Sequence, residues 1–335
     1  MKKIDVHQHI TPGSYIAAIK KGSDRFPNKV RVDSLGKEEM FADDRWSPIT
    51  DDPHFDVGIR IRDMDASGRD LSVLSPQPGP GASIRYDLDA KLGGEIARIV
   101  NDGIAEIVSD HPEYFMGMAM IPLQHPSTAL KEMERAAKQL GMRAIEIGTN
   151  VNGKNLDEPE LFPVFEKARD LGLLVYVHPI NVVSKKERLR SYHLANLIGN
   201  PTETAIAIAS IIYGGILEKL PDLKLLFSHA GGTMPWLIGR HDHGYKVRPE
   251  CKAAIPKPPS EYFKLIHFDT IAHDPQNLLH LVKTFGSDKV LLGSDYPADM
   301  ADENPVATVA NLNIPELDKQ KIWGENAARL LNIQM

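Results

Sequence analysis

Four histidines and an aspartate, His7, His9, His178, His229 and Asp295, end short apolar runs of the chain, and all five are of the types that bind metal ions or move protons. His7 and His9 are two apart on an extended run, so their side chains share a face and can reach one ion together. Imidazole suits zinc, and a third histidine plus a carboxylate completes a site that still has room for water. His178 follows Leu174-Val175-Tyr176-Val177. A hydrogen bond to a backbone carbonyl would satisfy it, but an unpartnered ring among apolar residues is costly, and ligation of a metal is the better reading. His229, in Ser228-His229-Ala230-Gly231-Gly232, can be a ligand or a free base, and spacing alone leaves both open. Asp295, in Gly293-Ser294-Asp295-Tyr296-Pro297, can bind metal, accept from a bound water or move its proton. A helix N-cap is the plainer role for an aspartate, but Tyr296-Pro297 asks for a turn before any helix starts.

A scaffold must bring these strand ends to one place. Eight apolar, β-branched runs recur at residues 3–10, 70–75, 115–121, 143–148, 173–178, 223–229, 265–270 and 289–295, several of them apolar almost throughout, as strands buried on both faces are. Amphipathic segments lie between them, with helices expected over 87–109, 130–140 and 158–171. Strand–helix alternation predicts parallel strands with right-handed crossovers, and eight strands favour a (β/α)8 TIM barrel over a doubly wound sheet. The Gly-x-Gly-x-x-Gly of the latter is absent, since the chain there reads His7-Gln8-His9. Two polar stretches, 11–56 and 179–201, follow strand C-termini, the face on which a barrel carries its active site, lids and pockets. A third loop, 245–262, reads as a proline-rich surface excursion.

At 335 residues the chain is long enough for one large barrel, and we expect a single domain over 1–335 with a small lid insertion at 11–57 in a distorted (β/α)8 frame. Lys and Arg total 39 and Asp and Glu 45, a net charge of −6 with no basic block, so nothing calls for nucleic acid or an anionic membrane. Cys251 is the one cysteine, which excludes an internal disulfide and a thiolate metal site. The first residues, Met1-Lys2-Lys3-Ile4-Asp5, carry no apolar signal-peptide core, and no run approaches the roughly 20 apolar residues of a membrane span. The expected location is cytoplasmic.

Together, Asp5-Val6-His7-Gln8-His9, His178-Pro179, Leu225-Leu226-Phe227-Ser228-His229-Ala230-Gly231-Gly232 and Gly293-Ser294-Asp295-Tyr296-Pro297 resemble the amidohydrolase superfamily. The resemblance is to the branch that contains aminocarboxymuconate-semialdehyde decarboxylase and the resorcylate-type decarboxylases. It extends through Ile147-Gly148-Thr149-Asn150, Pro201-Thr202-Glu203-Thr204, Gly239-Arg240 and Ala272-His273-Asp274-Pro275. It implies that His7, His9, His178 and Asp295 hold one zinc ion per chain, with manganese and iron as the other metals such ligands accept. His229 is then the base that activates the metal's water, with Asp295 sharing in catalysis. Arg240 would reach into the neighbouring site of a homodimer and grip the carboxylate of a small-molecule acid. The reaction implied is non-oxidative decarboxylation, with hydrolysis or hydration by the same centre as the alternative.

Three positions depart from that pattern: Ile180 stands where a tryptophan follows the histidine–proline pair, Asn196 at an aromatic position of the next loop, and Ala298 at a phenylalanine. The lid is rearranged, which leaves Arg45 as an unaligned counterpart of the family's second carboxylate-binding arginine. These changes point to a bulkier or more polar substrate. Elsewhere, Arg60-Ile61-Arg62-Asp63-Met64-Asp65 reads as a solvated helix face and Lys37-Glu38-Glu39 as a solvated helical turn. His241 and His243, two apart on a helix, share no face. His111, His125, His267, His273 and His280 are expected as loop or core hydrogen bonders.

Overall fold

The structure is a computed structural model that describes residues 1–22, 24–42, 45–78, 84–183 and 187–334, with the side chains of Ala42 and Arg45 outside that description. The strands are β1 (Ile4–Ile10), β2 (Lys29–Val32), β3 (Glu38–Ala42), β4 (Arg45–Pro48), β5 (Leu71–Pro76), β6 (Phe115–Met120), β7 (Ala144–Gly148), β8 (Leu174–His178), β9 (Lys224–Phe227), β10 (His267–Asp269) and β11 (Val290–Leu291). Eight of them form a parallel sheet in the order β1-β5-β6-β7-β8-β9-β10-β11, each matching a run expected from sequence. The segment after β11 stays extended and joins the two edges: Val6 N–H donates to the Leu292 carbonyl at 2.9 Å and Asp295 N–H to the His7 carbonyl at 2.8 Å. The result is a (β/α)8 barrel.

The near-continuous apolar runs are explained by two cores. Ile4, Val6, Val73, Met118, Leu174, Leu226 and Leu291 fill one cluster with Tyr176, while Val175, Val177, Leu225 and Phe227 belong to a second that includes the surrounding helices. Fully burying such a side chain contributes about 1.5–3 kcal/mol. The helix Ala90–Asp110 shows how the outer layer is held: Asp89 caps it by accepting from Lys91 N and Leu92 N, and Ile96, Val100 and Ile104 face inward. Among the described residues no helix is long and apolar enough to cross a membrane.

The stretch after β1 holds the helix Gly13–Lys21 and the antiparallel sheet β2-β3-β4. Lys37-Glu38-Glu39 is therefore not a helical turn. Glu38 and Glu39 open β3, where Glu39 lies opposite Arg31 and pairs with it at 2.8 Å, a cross-strand ion pair in place of a helical one. Nor is 245–262 wholly irregular: the helix Met234–Val247 runs into it, and Pro259–Phe263 forms another helix with proline at its first position, where the missing N–H is harmless.

Candidate functional site

The ends of β1, β8 and the segment after β11 bring His7, His9, His178 and Asp295 together, all buried, with one ligand atom from each lying within 4.8 Å of the others. Asp295 Oδ1 is 3.0 Å from His7 Nε2 and 3.4 Å from His9 Nε2, and the two ring nitrogens face each other at 3.2 Å. The register of β1 slips between Asp5 and Gln8, a bulge that re-aims side chains at a functional strand end. His178 joins with its ring centroid 4.8 Å from that of His9.

The hydrogen bonds behind these rings decide what the cluster suits. His7 Nδ1 lies 2.7 Å from Asp269 Oδ2, His178 Nδ1 3.2 Å from the Pro179 carbonyl, and His9 Nδ1 2.9 Å from Ser75 Oγ. The Ser75 proton already goes to the Gln8 carbonyl, so all three partners accept. Each Nδ1 therefore carries a proton and each Nε2 is turned to the common centre, the arrangement that fixes metal-binding tautomers. His178 Nε2 is buried without a partner.

Charge points the same way. Burial disfavours a proton on His7, but the Asp295 and Asp269 carboxylates outweigh it and bring its pKa up to about 10; two buried carboxylates ask for a cation between them. Burial lowers His9 to about 4 and holds His178 well below the ordinary histidine value, so both rings are neutral lone-pair donors. Burial works against an ionised Asp295, yet His7, His229 and His9 keep it well below the usual carboxylate range. A divalent metal ion fits this donor set.

His229 begins the turn after β9, partly buried, with Nε2 3.4 Å from Asp295 Oδ2 and Nδ1 unpartnered. It and Ala230 are left-handed, at φ 53° and 54°, a strained path held by Asp269, whose carboxylate accepts from His229 N at 3.0 Å and Ala230 N at 2.8 Å. The glycines that follow serve a close backbone approach: a Cβ on Gly232 would lie 2.1 Å from the Pro201 carbonyl oxygen.

Asp269 was not among the residues singled out from sequence, although a carboxylate ending the 265–270 strand is the same signal that marked Asp295. Glu146, on β7, was also missed. The Tyr176 hydroxyl is buried without a partner, and burial lifts the Glu146 carboxyl to about 8, against the opposing pull of Ser75 and His7.

Arg60 corrects the solvated-helix reading. Its side chain is fully buried and donates to the His9 carbonyl (2.9 Å), the Pro53 carbonyl (2.8 Å) and Gln8 Oε1 (2.8 Å). Asp5 accepts from Gln8 Nε2, Arg69 and Ser294, and Tyr296 donates to Asp63 at 2.5 Å. This network clamps β1 to the Asp295 turn from outside the barrel.

A cleft of about 210 Å³ opens beside His229 and Asp295, lined also by Asn196, Trp236, His273 and His280. Of the three departures, Asn196 lines it, and Ile180 and Ala298 do not. Arg240 is exposed on Met234–Val247, one turn beyond Trp236, and does not line it either. Arg45 opens β4, but its side chain lies outside the described part. His241 packs against the Tyr213 hydroxyl at 2.9 Å, and His125 and His267 reach carbonyls as expected. His280 instead stacks on Trp236 at 4.4 Å, and His273 has no hydrogen-bond partner among the described residues.

Residues 4–333 match the amidohydrolase family. The chain is 36% identical over 335 residues to the 2-amino-3-carboxymuconate-6-semialdehyde decarboxylase of Dictyostelium discoideum, which covers 99% of this chain and 92% of that protein. It is 29% identical over 296 residues to a gamma-resorcylate decarboxylase of a Polaromonas species, covering 82% of this chain and 86% of that one. Its fold is similar to that of 5-carboxyvanillate decarboxylase from Sphingomonas paucimobilis, with a TM-score of 0.83 at 26% identity over 99% of both chains.

Proposed function

The chain belongs to the amidohydrolase family, and from that premise we propose that it is a metal-dependent non-oxidative decarboxylase of a small unsaturated or aromatic carboxylic acid, holding one zinc ion. The observation that carries this is the convergence of His7, His9, His178 and Asp295 beside a partly buried His229 at the end of a cleft. Three imidazoles and a carboxylate are a donor set zinc takes. The similar relatives are named decarboxylases, so hydrolysis is not needed to account for the site.

In the reaction the bond to the carboxylate breaks, its electron pair stays on the substrate carbon, and that carbon takes up a proton as carbon dioxide leaves. A divalent ion bound by the cluster supplies Lewis acidity toward a substrate oxygen and the charge that develops there. His229 holds and moves the proton at Nε2, and Asp295 Oδ2, at 3.4 Å, orients that edge of the ring. Asp269 keeps the His229 turn in place through the two backbone N–H groups. Residues 11–57 act as a lid of the single domain. Arg45 and Arg240 meet the substrate carboxylate, Arg240 from the second copy in a homodimer, which accords with its exposure outside its own cleft.

Elemental analysis paired with carbon dioxide release from a panel of carboxylated dienes and hydroxybenzoates tests this. We expect about one zinc per chain, and a turnover in His229→Ala about a hundredfold lower or more with the metal retained. Metal without carbon dioxide from any acid overturns the decarboxylase reading. Protein that takes up no metal after reconstitution overturns the centre itself.

A further inference from the structure

Four residues other than glycine that line the cleft have left-handed backbones: His229 (φ 53°), Ala230 (54°), Asp295 (60°) and His273 (54°). Such strain persists only where surrounding structure imposes it, and it gathers where side chains must be aimed at a ligand. The first three belong to the centre already described. His273 does not, and its turn is fixed from either side: just before it, Ala272 N–H donates to the Thr270 carbonyl at 2.9 Å, and just after it, Asp274 caps the helix Pro275–Phe285 by accepting from Gln276 N at 2.8 Å.

The chemistry of the cleft gives that geometry a use. Among the described residues lining it there is no lysine or arginine. Its imidazoles are otherwise engaged, His229 with Asp295 and His280 stacked on Trp236, while His273 makes no hydrogen bond, ion pair or ring contact within the described chain. The amides of Asn196, Asn200 and Asn277 add neutral donors and acceptors around it. This lining offers hydrogen bonds to a substrate oxygen without a fixed positive charge.

We propose that His273 is a substrate-contacting specificity residue, its imidazole donating to an oxygen substituent, a hydroxyl or second carboxylate, other than the carboxylate that leaves. His273 is exposed where this cleft meets a second cavity lined also by Asp274 and Asp302, and the left-handed turn holds it at that junction. The proposal rests on the decarboxylase reading and assigns one contact within it.

The test uses metal-loaded enzyme, the panel acid it turns over best, and the analogue of that acid lacking the oxygen substituent. His273→Gly removes the ring and accepts the left-handed backbone freely, so it should fold at least as well as the native chain and keep its metal. We expect its KM for the substituted acid to rise about tenfold or more with kcat within about threefold, and its preference over the analogue to vanish. His273→Asn, which tolerates the same backbone and keeps a donor, should restore most of that preference. A glycine variant with native KM, or one that loses kcat at unchanged KM, overturns the proposal. So does a native enzyme that treats the two acids alike, whatever the variants do. If the native enzyme releases carbon dioxide from no acid, it is the decarboxylase reading that fails, and calorimetric binding of the same two acids to native and His273→Gly protein still reads the contact.

Discussion

Strand β1 carries a buried polar cluster on each side, and the two are built to opposite rules. Toward the barrel axis, His7 and His9 meet His178 and Asp295, with His229 and Tyr176 beside them, in a group where His178 Nε2, His229 Nδ1 and the Tyr176 hydroxyl have no partner. Toward the helix Val57–Ser67, Asp5 and Gln8 meet Arg60, Arg69, Ser72 and Ser294, and only Arg60 Nε is left over. An unpartnered buried polar atom costs about 1–3 kcal/mol, so a chain keeps several together only where something else supplies the missing partner. A satisfied network of the same size stabilises and orients instead. The outer cluster holds the strand, and the inner one turns its free donor atoms to a common centre.

Substitutions on the two sides should therefore fail differently. The largest effect is expected from His178→Ala: metal lost from the purified protein and turnover down about a thousandfold or more, while the metal-stripped variant melts within a few degrees of the metal-stripped native chain. A variant that keeps stoichiometric metal would break the contrast from the inner side. Next comes Arg60→Ala, which strands the His9 and Pro53 carbonyls and Gln8 Oε1. We expect about 3–5 kcal/mol less stability in denaturant titrations, with metal still bound by the molecules that fold; a loss under about 1 kcal/mol would mean that the outer network is not what holds β1.

The effect of Glu146→Gln is the smallest near pH 5 and reads as a slope with pH. Burial raises the Glu146 carboxyl from its ordinary 4.5 to about 8, so between those values the unfolded chain has lost a proton that the folded chain keeps. Native stability in metal-stripped protein should then fall as pH rises through that window, by linkage. An amide has no proton to lose. The variant should match the native chain to within about 1 kcal/mol near pH 5 and gain on it steadily up to pH 8, in urea titrations at each pH. A difference that does not change with pH would show that Glu146 is ionised in the fold.

The same contrast explains what could be read in the sequence. Strands buried on both faces announce themselves as apolar runs, and a histidine or aspartate ending one is conspicuous, which is why His7, His9, His178, His229 and Asp295 stand out and converge in the structure. Arg60 did not stand out as a core residue because opposite charges three apart on a helix have a sufficient local explanation. Its true partners are 51 and 52 positions away on β1, and no local pattern encodes them. Asp269 hid for a related reason: its work is to accept from backbone N–H groups of another turn, a role open to any carboxylate at a strand end. His273 looked like an ordinary loop histidine because backbone handedness leaves no mark in a single residue type.

The closure of the barrel also sets an order of events during synthesis. The centre takes two ligands from β1 and its carboxylate from the turn after β11, and the hydrogen bonds that join those two edges link the first strand to the last. A growing chain exposes paired histidines early and holds them without their acid through nearly all of translation, since contacts so distant in sequence form only after a large loop has closed. A tight metal site is thus a late acquisition of the nascent polypeptide, and a chain truncated before Asp295 would be left with an open ring and an incomplete set of ligands.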